Sequence, residues 1–321
     1  MGKLCVSIDK RRAEEAITLL RRKGLIDEKY LIERAGDKVL IPVVNTPECL
    51  KNISFEIVEC DPRIKESRVK PPSHDIVGNV AILRSKVLET MDPRDVVETL
   101  RCTYPRLRAI YVKEETVEDF RVPVLKLLWG EPAEEVVARE YGLSFRVRLG
   151  KVYFNPRLAE EHRRIASMVR DGEVVVDLFS GIGGFPIHIA SQRFSLIIAN
   201  DLNPDAYELM VENIVLNKKR LKGFIIPFNN DAAEIPGVLG RREAANRVIA
   251  NLPKRSLDFA ETYSTLLAPG GFLHLYVLTR DAEGTAEEVV SLLPEWRIMG
   301  KRLVLEYSPG AGIYRFDLFK P

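Results

Sequence analysis

Between residues 156 and 321, short apolar runs alternate with helical patterns, and this alternation restricts the chain to one kind of sheet. The strand candidates are 173–178, 196–201, 223–228, 247–251 and 271–277. The helix candidates are 157–169, 186–191, 206–217 and 256–267. Continuously apolar strands are buried on both faces, so the pattern predicts a parallel sheet covered by helices. Ligands of such sheets sit beyond the carboxyl ends of the strands. Those ends therefore carry the functional information.

The first strand runs into a glycine turn: Asp177, Phe179, Gly181, Gly183, Gly184 and Phe185. Glycines there let a backbone approach a ligand with no Cβ in the way. The spacing is not that of a dinucleotide fingerprint. The second strand ends at Asp201, followed by Leu202, and the third at Asn230 and Asp231. An acid at the second position can accept hydrogen bonds from a ribose diol, and one at the third from an adenine amine. Any one of these acids could simply cap the following helix. Three in register with a glycine loop predict a nucleoside site. The fourth strand ends in Asn251, Leu252, Pro253 and Lys254. An Asn-x-Pro end there points to S-adenosylmethionine-dependent methyl transfer to a planar nitrogen. The amide and carbonyls can accept from a base edge, and proline stiffens the loop.

Two smaller segments precede this half. Residues 1–58 carry an amphipathic helix (10–23) and strand pieces at 31–32 and 39–44, split by Gly36 and Asp37, which makes a small α+β module. Residues 59–73 form a basic connector with Arg63, Lys65, Arg68 and Lys70, closing in Pro71 and Pro72. Residues 74–155 hold strand candidates at 77–83, 109–112, 122–128 and 145–149, the last continued at 152–154. A helix at 94–100 is opened by Asp92 and Pro93. This segment is a mixed sheet with a helix.

Hydrophobic residues make up 46% and charged residues 29% of 321, enough apolar surface for a sizeable core and too much for a disordered chain. No stretch approaches 18 uncharged apolar residues, so a membrane helix is excluded, and the expected location is the cytoplasm. The net charge of +2 means that any nucleic-acid surface must be local. The single glutamine, Gln192, beside abundant Glu, Lys and Arg fits a thermophile. Cys5, Cys49, Cys60 and Cys102 lack metal-pair spacing and read as small buried hydrophobes in a reducing compartment. No metal constellation is visible.

Further residues carry a family resemblance. They are the run 25–30 with Gly36, Asp37, Ile41, Pro42 and Val43; the stretch 73–82; and the block 151–158 followed by Glu161, Arg163 and Arg164. The loop 177–185, Asp201 with Asn203 and Pro204, Asn213 with Asn217, and Asn251 with Pro253 complete them. With these the chain resembles, nearly throughout, the archaeal and eukaryotic type tRNA (guanine-37-N1)-methyltransferases. The resemblance implies a small N-terminal tRNA-binding domain (1–58), a basic linker (59–73), a middle α/β domain (74–155) and a Rossmann-like class I methyltransferase domain (156–321). It implies Glu161 as the general base for the guanine N1 proton and Asn251 with Pro253 as the loop that holds the target base. Asp177, Phe179, Gly181, Gly183, Asp201, Leu202, Asn230, Asp231 and Asn251 are the implied contacts to S-adenosylmethionine. Arg63, Lys65, Arg68, Lys70, Arg157, Arg163 and Arg164 are the expected tRNA contacts. The expected state is a monomer with tRNA as partner.

The chain also departs from that family. After Gly130 and Glu131 come Pro132 and Ala133, where the family carries an arginine; Arg139 and Arg121 are the nearest stand-ins. Ala232, Ala233 and Glu234 follow Asp231, and Gly184 stands where a proline is usual. These departures keep other readings in view. One is methylation, or aminocarboxypropyl transfer, on a wyosine-type intermediate at the same tRNA position. Others are a tRNA binder without catalysis and a methyltransferase acting on small molecules or protein.

Overall fold

The structure is a computed structural model and describes residues 3–47, 50, 53–62, 71–117 and 122–321. Arg63, Lys65, Arg68 and Lys70 of the basic connector, together with Cys49 and Arg121, lie outside the described residues. The chain divides into two units, Met1–Pro72 with Met91–Arg106, and Ser73–Thr90 with Leu107–Pro321.

In the first unit, β1 (Lys3–Asp9) turns into α1 (Ala13–Arg22), with Asp9 accepting from Arg11 N at 2.8 Å to start the turn. Ala13, Ala16 and Leu20 form the buried stripe of α1. Strands β2 (Glu33–Ala35) and β3 (Lys38–Pro42) make the hairpin expected around Gly36 and Asp37, and β4 (Glu56–Cys60) completes the sheet. The order is β2-β3-β1-β4, all antiparallel. Val6, Ile8, Leu20, Val39, Ile41 and Leu50 share one core.

Cys5 and Cys60 form a disulfide between β1 and β4, which corrects their reading as unlinked small hydrophobes in a reducing compartment. Pairing across 55 residues leaves no local trace in the sequence. The bond alone does not locate the chain, because intracellular proteins of hyperthermophiles also carry disulfides. Closing a loop of 55 residues is worth about 4 kcal/mol in the chain-entropy model. Reduction is therefore expected to lower the melting temperature of the first unit by several degrees. Calorimetry with and without a phosphine reductant checks this, and superimposable transitions would contradict it.

In the second unit, β5 (His74–Val77) and β6 (Val80–Arg84) are antiparallel, so the single strand expected at 77–83 is a hairpin turning at Gly78 and Asn79. After α2 (Val87–Thr90) comes α3 (Pro93–Thr103), which belongs to the first unit and is capped by Asp92. Then β7 (Ala109–Val117) pairs parallel to β6, and β8 (Val122–Gly130) pairs antiparallel to β7. A second hairpin, β9 (Glu135–Glu140) and β10 (Leu143–Arg148), follows. Residues 152–154 do not continue it as a strand.

The remaining elements are α4 (Ala159–Met168), β11 (Val174–Asp177), α5 (Gly184–Gln192), β12 (Leu196–Asn200), α6 (Pro204–Asn217), β13 (Phe224–Phe228), α7 (Ile235–Leu239), β14 (Ala245–Ala250), α8 (Ala260–Leu266), β15 (Leu267–Thr279), α9 (Ala282–Leu292), β16 (Arg297–Ser308) and β17 (Ala311–Phe319). They build one seven-stranded sheet, ordered β13-β12-β11-β14-β15-β17-β16. The first five strands are parallel, as the alternation predicts, and β17 and β16 add an antiparallel edge. Side chains alternate across the sheet. Val176, Val248, Leu273 and Phe316 pack with residues of α7, α8 and α9. Val175, Ile197, Ile249 and Tyr276 pack with residues of α4 and α5.

The segment expected as a separate middle domain is not separate. Phe145 and Val147 of β10 share a core with Ile182, Ile187 and Leu209. Two asparagines one turn apart on α6 explain the attachment. Asn217 accepts from Ser144 N at 3.0 Å and donates to Ser144 O at 2.7 Å. Asn213 accepts from Arg146 N at 2.7 Å and donates to Arg146 O at 3.2 Å. The pair acts as a neighbouring strand would, satisfying backbone groups of β10 that would otherwise be buried unpaired.

Candidate cofactor cleft

The carboxyl ends of β11, β12, β13 and β14 open into a cleft of about 550 Å³. After β11 the chain turns through the glycine loop. Gly183 takes φ 94°, where a side chain would be strained, and α5 starts at the next residue. Phe179, Gly181, Asp201, Leu202, Asp231 and Asn251 line the cleft together, so six expected contacts come from four separate strand ends.

Asp201 also fastens the loop. Its Oδ2 accepts from Gly181 N at 2.7 Å and its Oδ1 from Asn203 N at 2.9 Å. Each oxygen keeps a further lone pair for a ligand. Burial pushes this carboxyl up, and the two backbone bonds oppose the push. Asp231 accepts from Ala233 N at 2.9 Å, so the cap and the cleft position coincide in one residue. The amide of Asn251 makes no hydrogen bond to a described residue, while the loop after it is bolted to β15. Pro253 O accepts from Leu278 N at 2.7 Å, and Ser256 Oγ donates to Tyr276 O at 2.7 Å.

Five of the expected cofactor and catalytic residues stand elsewhere. Asp177, expected as a cofactor contact, is sealed beneath the loop at 0% exposure and does not line the cleft. Its Oδ1 accepts from Phe179 N at 3.3 Å, and its Oδ2 has no hydrogen-bond partner among the described residues. Burial pushes its carboxyl up to about 7. The folded state thus holds a proton that the unfolded chain releases near the usual carboxylate value, so stability falls as pH rises through that window. Asp177→Asn is expected to gain stability relative to the wild type at pH 8, by at most about 4 kcal/mol, and to show no such gain at pH 4. Denaturant titrations at the two pH values check this, and an equal difference at both would contradict it.

Gly183 and Asn230 shape the loops without lining the cleft. Pro253 is buried behind the cleft wall, where it can only stiffen the loop.

Glu161, the expected base, is also outside the lining. It is 4% exposed on α4, and both of its donors converge on Oε1. Tyr276 OH donates at 2.8 Å, and Arg315 makes a buried ion pair. No described residue hydrogen-bonds to Oε2. Arg315 in turn pairs with Asp317, which receives His274 Nδ1. His274 Nε2 faces Arg247 at 2.6 Å. Arginine only donates, so His274 is neutral with its proton on Nδ1. Burial holds His274 below the usual histidine range, in agreement.

Among the expected tRNA contacts, Arg157 Nε pairs with Asp75 at 2.6 Å, and Arg163 lies over the Tyr141 ring at 4.6 Å. Arg164 Nε is buried with no hydrogen-bond partner among the described residues. Ala133, where the resemblance would place an arginine, is fixed by Tyr111 OH, which accepts from its N–H at 2.8 Å. Arg139 projects from the exposed face of β9 and does not line the cleft.

Sequence reasoning missed Asn200, whose amide donates to Leu178 O at 3.1 Å and to Asn230 O at 3.0 Å, tying together three strand ends. It also missed Phe259, which lines the cleft and stacks edge-on against Phe179, and His162. The only available signal for Asn200 was a polar residue inside an apolar strand.

Comparison with known proteins agrees with this architecture. Residues 136–294 match the TRM5/TYW2 methyltransferase domain, and residues 5–51 match the tRNA methyltransferase 5 N-terminal domain. The tRNA (guanine(37)-N(1))-methyltransferase Trm5b of Methanocaldococcus jannaschii is 31% identical over 98% of each chain. A Trm5 solved in complex with tRNALeu superposes with a TM-score of 0.69 at 29% identity, over 99% of this chain and 100% of that one. The M. jannaschii Trm5 solved with adenosine gives a TM-score of 0.64 at 29% identity, over 99% of each chain. The chain belongs to the TRM5/TYW2 methyltransferase family, on the Trm5 side of it, since it carries that protein's N-terminal domain as well.

Proposed function

We propose that this protein transfers the methyl group of S-adenosylmethionine to N1 of guanosine 37 in tRNA. The observation that carries the proposal is one cleft lined by Asp201, Asp231 and Asn251, whose amide has no hydrogen-bond partner among the described residues. The cleft suits an adenosine-bearing cofactor: apolar walls from Phe179, Leu202 and Phe259, with a few polar groups at strand ends.

Bound there, S-adenosylmethionine supplies a methyl group already activated by its sulfonium. Asp231 would accept from its adenine amine, and Asp201 would accept from its ribose hydroxyls on the oxygens that also hold the loop. Asn251 fixes the edge of the target base, which must leave its stack to enter the cleft. Guanine N1 carries a proton at neutral pH and is a poor nucleophile until that proton leaves. Methyl transfer to N1 would require that proton to leave, and Glu161, next to the cleft-lining His162 on α4, would take it on Oε2. The remaining work is positioning. Arg157, Arg163, Arg164 and the connector residues Arg63, Lys65, Arg68 and Lys70 supply phosphate contacts, which makes affinity fall with salt.

A second reading rests on Ala133. A bifunctional relative from Nanoarchaeum equitans, named for guanosine-37 and 4-demethylwyosine-37 methylation, is 35% identical over 49% of this chain. The test is transfer of labelled methyl to transcripts with guanosine or adenosine at position 37. Label on the guanosine transcript alone supports the proposal. Label on neither, with cofactor binding intact, favours the wyosine-type substrate.

A further inference from the structure

A buried titratable cluster stands apart from the groups assigned to methyl transfer. Glu140 on β9, His162 on α4 and His188 on α5 bring three possible ligand atoms within 4.8 Å of one another. All three residues are buried, at 4%, 7% and 1% exposure. The histidines follow Glu140 by 22 and 48 positions, so no spacing in the sequence reveals the group.

Glu140 stands on the inward face of β9, where its neighbours Val136 and Ala138 are apolar. A carboxylate there is costly unless its oxygens find partners. Oε2 lies 2.9 Å from His162 Nδ1 and 3.0 Å from His188 Nε2. Oε1 is buried with no hydrogen-bond partner among the described residues. Hydrogen bonding accounts for one oxygen and leaves the other unexplained. The two imidazoles also converge on a single point, as the ligands of an ion do.

The rings are held in place by their neighbours. His188 stacks on Phe145 at 6.0 Å and 9°, and His162 meets Phe185 edge-on at 4.6 Å. Gly184 makes the room, since an added Cβ there would stand 2.5 Å from His162 Cε1. Burial holds the His188 ring below the usual histidine range, in the neutral form that ligates metals.

Two imidazoles and one carboxylate are a protein ligand set of zinc centres whose fourth position is open. Tetrahedral bonds of about 2.0–2.2 Å hold neighbouring donors roughly 3.4 Å apart. The Glu140 oxygen must therefore retreat by about half an ångström, which turning the carboxylate toward Oε1 allows. His162 also lines the cleft, which gives an ion its entry path and a water for the fourth position.

We propose that Glu140, His162 and His188 form a zinc-binding site that clips the β9–β10 hairpin to α4 and α5. Each imidazole gives the ion the lone pair of the nitrogen that faces Glu140 and keeps its proton on the other. The site is structural, and it steadies the helix that also carries Glu161.

The test uses metal-free protein, prepared by dialysis against a chelator and titrated with zinc in competition with a chromophoric chelator. The wild type is expected to take up a single zinc per chain and to gain thermal stability with it. His162→Gln and His188→Gln are each expected to weaken uptake by more than the roughly 10–100-fold lost with a partner that only orients a ligand. His74→Gln, outside the cluster, is expected to bind within twofold of the wild type. Cobalt in place of zinc is expected to give the visible spectrum of a four- or five-coordinate ion without thiolate charge transfer. That spectrum is read on the wild type, so it decides the matter if a variant fails to fold. No uptake by the wild type at micromolar zinc would overturn the proposal and leave a hydrogen-bonded cluster only. Cobalt bound through thiolate, or zinc held at wild-type affinity by either histidine variant, would overturn it as well.

Discussion

Replacing Glu161 by Gln is expected to lower methyl transfer by about 10²–10⁴-fold while cofactor and tRNA affinities stay within a few-fold. The amide keeps an acceptor at the Oε1 position for Tyr276 and Arg315, so the packing of α4 changes little. What it loses is the ability to take a proton at the second position. Tyr276 cannot substitute: burial first, and then the Glu161 charge, push its hydroxyl well above the usual tyrosine range, so it stays a donor. Single-turnover transfer with saturating cofactor reads the chemical step directly. Near-normal rates would remove Glu161 as the base and leave Glu161 with a structural role only.

The second large effect is on stability. Arg315→Met is expected to cost about 3–5 kcal/mol, because it leaves two carboxylates, Glu161 and Asp317, facing each other in a space that excludes water. Arg315 is 1% exposed, and its partners join β17 to α4 and β15. The network continues through His274 to Arg247, whose guanidinium bonds Glu173 at 2.9 and 3.1 Å. It forms a polar seam across three strands under α4. Adding Glu161→Gln to Arg315→Met removes one orphaned charge, so the double variant should be more stable than Arg315→Met alone. Denaturant unfolding measures both. A loss below about 1 kcal/mol for Arg315→Met would show that the seam is screened by solvent and carries little.

Much of this fold was legible because parallel strands buried on both faces write themselves as apolar runs. The strand ends at Asp201, Asp231 and Asn251 were legible for the same reason, since each run stops where the cleft begins. Elements with a weaker local signature were not. Strand β9 alternates Val136, Ala138 and Glu140 inward with Glu135, Val137 and Arg139 outward, and the inward Glu140 breaks the expected apolar face. Strands β16 and β17 are long and mixed in polarity, so they escaped the β/α alternation. Asp177 sits in the same motif as its cleft-lining neighbours, yet its side chain points away from them; residue identity does not encode that choice. The Glu161–Arg315 pair joins residues 154 apart, and the Cys5–Cys60 bond joins residues 55 apart. Such pairs become visible only when the sheet order is known.

The most direct measurement is nucleoside mapping of tRNA transcripts carrying guanosine 37 after reaction of the purified protein with methyl-labelled S-adenosylmethionine. The account predicts that the label appears in 1-methylguanosine, at position 37 alone. Label at another atom of guanosine, or at another position of the tRNA, would contradict it.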